Sequence, residues 1–64
     1  PTVFNSADEA AVELFLKEKI SYLEITEAIE YAMGEHKTVQ NPTLSDIYNA
    51  DKEARECVFK KFSE

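Results

Sequence analysis

Sixty-four residues carrying 13 acidic and 7 basic side chains, net charge −6, leave room for one small domain. The cations Lys17, Lys19, Lys37, Lys52, Arg55, Lys60 and Lys61 are scattered, which argues against nucleic acid and against an anionic membrane surface as partners. No apolar run approaches the roughly 20 residues of a membrane span, and the first residues lack the pattern of a signal peptide, so a cytoplasmic chain is expected.

At this size a core supplies only ~3–5 kcal/mol unless something else helps. Cys57 is the single cysteine, which excludes an internal disulfide and fits a reducing compartment. The chain opens on Pro1 without a methionine, which we read as a piece of something longer.

With one glycine and two prolines, hairpin signals are sparse and helices are the default. The stretch Ala10 to Leu16 is apolar nearly all round, broken by Glu13, so later segments are expected to enclose it. Asn5 or Ser6 is expected to cap this first helix, Ser6 with Glu9 having capping-box spacing. Val3 or Phe4 is then placed to staple onto Ala10, and Glu13 stands one turn before Lys17, the favourable order for an ion pair.

Ser21 with Glu24 opens a second helix whose inner face reads Ile25, Ala28, Ile29, Ala32 and Met33. Gly34 is expected as a left-handed C-terminal cap, with His36 near the negative end of the helix dipole. Lys37 to Pro42 is a loop. Thr43 with Asp46 heads a short helix carrying Leu44, Ile47 and Tyr48. A break at Asn49–Asp51 is expected, with Asp51 capping a last helix that turns Ala54, Val58 and Phe62 inward; one long bent helix from Leu44 to Phe62 is the alternative. The expected fold is all-α: three full helices and one short one in a small four-helix bundle-like domain over residues 1–64, the first helix central.

Chemistry finds little foothold in this pattern. Cys57 and the lone His36 fall on different elements, and together they are too few soft ligands for zinc. Asp46, Asn49, Asp51 and Glu53 lack the alternating spacing and turn glycine of a calcium loop. A phosphate-cradling loop needs more glycine than Gly34 alone. None of the serines stands in the Asp-Ser-Leu context of an acyl carrier attachment site. We therefore expect no catalytic, cofactor-binding or metal-binding residue in this chain.

Three stretches taken together, FNSADEAAVELFL, KISYLEITEAIE and TLSDIYNADKEAR, resemble the C-terminal helical domain of 1-deoxy-D-xylulose 5-phosphate reductoisomerases. In that family the corresponding text runs N-A-A-N-E and an apolar helix, then K-I-x-F-x-x-I, then S-L-x-D-I and A-D-x-x-A-R. Ser6 and Asp8 stand where the family usually has alanine and asparagine, and Tyr22 where phenylalanine is common.

The resemblance implies a parent enzyme that rearranges and reduces 1-deoxy-D-xylulose 5-phosphate to 2-C-methyl-D-erythritol 4-phosphate in the non-mevalonate isoprenoid route. NADPH and a divalent cation, Mg²⁺ or Mn²⁺, are implied on other domains. It further implies a catalytic domain of the same chain as partner, a homodimeric parent, and a bacterial cytoplasm or a plastid as location. Asn5, Glu9, Asp51 and Arg55 are the positions expected to be architectural, with Asp51 and Arg55 one turn apart and able to pair. The alternative reading is a free-standing acidic helical module that binds a protein partner.

Overall fold

The structure, a computed structural model, describes residues 1–63. Helices α1 (Thr2–Leu16), α2 (Tyr22–Glu35) and α3 (Leu44–Phe62) account for its regular structure, and no strand occurs among the described residues. The architecture is all-α, but with three helices where four were expected. The break at Asn49–Asp51 is absent: Asn49 and Asp51 lie inside α3, which runs as the single long helix of the alternative reading. Good helix formers on both sides and the packing of Ala54 and Val58 outweigh the weak preference of asparagine and aspartate for non-helical backbone.

α2 and α3 start where local spacing places them. The Ser21 hydroxyl accepts from the Glu24 N–H while the Ser21 N–H donates to Glu24 Oε1 at 2.7 Å. Thr43 and Asp46 exchange the same pair of bonds, each at 3.0 Å. α1 departs from its expected start. It begins at Thr2, so Asn5 and Ser6 are already inside the helix, and the Asn5 N–H donates to the Pro1 carbonyl at 2.8 Å.

Gly34 is also not the cap that was expected. It lies within α2 with no left-handed torsion, and the chain leaves the helix at His36 in extended conformation. The left-handed residue after a helix is instead Glu18, at φ 60°. Its N–H donates to the Phe15 carbonyl at 2.9 Å, and the Lys19 N–H reaches the Leu14 carbonyl at 2.8 Å. That paired closure is a Schellman turn, made here without glycine.

α1 packs against both partners, while α2 and α3 meet each other less, so the first helix is central as expected. Its inward stripe is Val3, Ser6, Ala7, Ala10, Ala11 and Leu14, the i, i+3, i+4 spacing of one helix face. Ala28 and Ala32 come from α2, Ala54 and Val58 from α3, and Ile20 from the intervening turn. Six of the ten buried apolar residues are alanines (7, 10, 11, 28, 32 and 54), so the interior is filled mainly by backbones that approach closely. Phe15 and Tyr22 close one end edge to face, with ring centroids 5.8 Å apart, and Tyr31 meets Phe62 at 6.1 Å.

Enclosure of the apolar first helix is incomplete. Leu16 is 73% exposed, and Met33, expected on the inner face of α2, is 48% exposed. Leu44, Ile47 and Tyr48 also face outward, because the first turns of α3 overhang the other two helices in a molecule 37 Å long and 16–17 Å across.

Candidate functional site

The strongest polar cluster spans α1 and α3. Ser6 and Glu9 are neighbouring turns of α1, and Asp51 and Arg55 are neighbouring turns of α3. Because the two helices run the same way here, the pairs meet in register. The Ser6 hydroxyl donates to Asp51 Oδ1. Arg55 Nε donates to the same oxygen at 2.9 Å, and Arg55 Nη2 reaches Glu9 Oε1 at 2.6 Å. A guanidinium suits this position because its planar fork serves two carboxylates at once.

Ser6 is almost fully buried, whereas Asp51 and Arg55 are half-buried and Glu9 is exposed. The Ser6 hydroxyl, followed by the Arg55 guanidinium, holds the Asp51 carboxyl below its ordinary value. Glu9, followed by Asp51, raises the Arg55 pKa. Ser6, Asp51, Arg55 and Glu9 are thereby tied to one another across the two helices.

The structure therefore brings together three of the four positions expected to be architectural, Glu9, Asp51 and Arg55, and leaves the fourth, Asn5, exposed on the first turn of α1. The helix-capping roles expected for Asn5, Ser6 and Asp51 do not occur, since all three lie inside helices. Ser6 is the member that sequence spacing misread. Its partner lies 45 residues away in sequence, and no local pattern carries that distance.

Cys57 and His36, expected apart, both line one shallow cleft of about 200 Å³ between α2 and α3. Burial, and then the negative charge of Glu35, pushes the Cys57 thiol above its ordinary value. A thiol held protonated is a poor nucleophile. Among the described residues no three His, Cys, Asp or Glu side chains converge as a metal site. A second groove, about 350 Å³ and mostly apolar, lies where the overhanging start of α3 meets Pro1, Val3 and the loop after α2.

Residues 1–57 match the family described as DXP reductoisomerase C-terminal domain. The chain belongs to that family. Three relatives bear the name 1-deoxy-D-xylulose 5-phosphate reductoisomerase. The protein of Thermoanaerobacter pseudethanolicus is 57% identical over 61 residues, covering 95% of this chain and 16% of the relative. That of Caldanaerobacter subterraneus subsp. tengcongensis is 55% identical over 60 residues, 94% of this chain and 16% of the relative. That of Bacillus pumilus is 47% identical over 58 residues, 91% and 15% respectively. The chain thus spans about a sixth of the length of the curated relatives it matches. No solved structure gives a significant match.

Within this DXP reductoisomerase C-terminal domain, the matched residues hold the whole Ser6–Glu9–Asp51–Arg55 cluster and both capping boxes. No helix is long and apolar enough to cross a membrane among the described residues.

Proposed function

We infer that this chain is the non-catalytic helical end of a 1-deoxy-D-xylulose 5-phosphate reductoisomerase, supporting a catalytic domain of the same polypeptide. The full enzyme converts 1-deoxy-D-xylulose 5-phosphate to 2-C-methyl-D-erythritol 4-phosphate for isoprenoid synthesis, as a homodimer in the bacterial cytoplasm, or in a plastid in a plant source. The relatives' shared name and the family match support this reading.

The parent's implied NADPH and divalent cation do not fit the residues present here. The one glycine is locked in α2 with no left-handed torsion, so the chain offers no glycine turn to cradle a pyrophosphate. The carboxylates of Glu9 and Asp51 are bridged by Arg55, whose guanidinium already occupies the place between them that a cation would take. No chemical step is assigned to this chain's side chains.

One observation carries the supporting role: the hydrogen-bonded Ser6–Asp51–Arg55–Glu9 cluster ties α1 to α3. The test is turnover of the full-length protein, read as NADPH oxidation with the sugar phosphate. Arg55→Ala is expected to lower the thermal midpoint and leave kcat and KM unchanged at temperatures where the variant is folded. Loss of turnover in a folded Arg55→Ala enzyme would overturn the support role, and a full-length chain with no turnover would overturn the assignment itself.

A further inference from the structure

We propose that the stretch of polypeptide joined directly to Pro1 in the full-length protein folds back over the apolar groove between Val3, the loop after α2 and the start of α3. This rests on the reading that the chain is the C-terminal part of a longer reductoisomerase.

The groove is apolar and unfilled. Met33, Val39 and Ile47 line it and remain 48%, 50% and 40% exposed, with Pro42 on its rim. Of its ionisable side chains, His36 and Asp46, Asp46 is already engaged in the capping box with Thr43, which leaves little polar anchoring for a small ligand. Beside it the overhanging first turns of α3 leave Leu44 86% and Tyr48 65% exposed. In so small a molecule an apolar concentration of this kind marks a surface that another element covers.

Which element covers it follows from position. Pro1 and Thr2 themselves form part of the groove wall. About five-sixths of the first matched relative lies outside the aligned segment, and on the reading that this chain is the C-terminal part, the polypeptide joined to Pro1 belongs to that remainder. A stretch tethered at the groove's own wall covers it for a small loop-closure entropy. A partner arriving by diffusion first gives up its translational and rotational freedom.

The test uses the full-length chain with a photo-reactive benzoylphenylalanine at Val39, a half-exposed loop position on the groove's lining. Irradiation is expected to yield an intrachain cross-link whose peptide maps to residues directly preceding Pro1. A covalent dimer, a cross-link to a distant part of the chain, or no cross-link overturns the proposal.

As a second measurement independent of that bulky group, Ile47→Cys is labelled by a maleimide and compared with Glu27→Cys on the exposed face of α2, each normalised to its denatured rate. Labelling at position 47 is expected to be slower by about tenfold or more, and equal rates overturn the covering. Turnover with NADPH on the same preparations is scored separately: an active enzyme with an open groove refutes only the covering, and an inactive one refutes the parent assignment.

Discussion

At the scale of single residues, the Ser6–Asp51–Arg55–Glu9 bridge makes an acid-sensitive contribution to stability. Asp51 has its folded pKa depressed below the ordinary value of 3.8. Its contribution is therefore fully present above that value and is lost as pH falls through it toward the folded pKa. Urea unfolding of the chain and of Asp51→Asn should show an advantage for the parent chain at pH 6 that disappears well below pH 4. Ser6→Ala removes the largest cause of the depression, so an NMR titration should find the Asp51 midpoint moved up toward its ordinary value. The Asp51–Arg55 half of this cluster was legible because its spacing is one helical turn. The Ser6 half was not, since a serine three residues before a glutamate looks the same whether its hydroxyl caps a helix or crosses to another one.

Individual elements sort the same way. Ser21–Glu24 and Thr43–Asp46 were readable as helix starts because a capping box is a wholly local arrangement, complete within four residues. Thr43→Ala should accordingly cost ~1 kcal/mol in chemical unfolding. Helix ends were less legible, because glycine content alone does not report backbone torsion. If Gly34 were a left-handed cap, alanine there would destabilise. Inside α2, with nothing within 4 Å of where a Cβ would sit, Gly34→Ala should stabilise by ~0.4–1 kcal/mol. The reverse holds at Glu18, which has the left-handed torsion and places a negative charge at the negative end of the α1 dipole. Glu18→Gly should therefore stabilise by about 1 kcal/mol, read as a raised thermal midpoint. Midpoints that move in the opposite directions would show these two backbone assignments to be reversed.

Across the whole molecule, the helical class and the central position of the first helix were legible from its wide apolar face, and the family likeness from three ordered stretches. The continuity of α3 was not, because the packing of Ala54 and Val58 that holds it together is tertiary. Leu14 is the largest buried side chain of α1 and belongs to the buried cluster that draws on all three helices. Leu14→Ala should cost ~2–5 kcal/mol, comparable with the ~3–5 kcal/mol a core this small supplies. Circular dichroism of that variant of the 64-residue chain should show most of its helix lost at room temperature. Retained helix would mean that stability comes from outside this core. Ala10→Leu is the opposite perturbation and should also destabilise, by ~1–3 kcal/mol, because the alanine seam has no room for it. Such an interior behaves like a zip with fine teeth: it grips only while every tooth stays small. Sequence drift in this segment is thereby channelled to its outer faces, and redesign for greater robustness will succeed at its caps and turns sooner than in its centre.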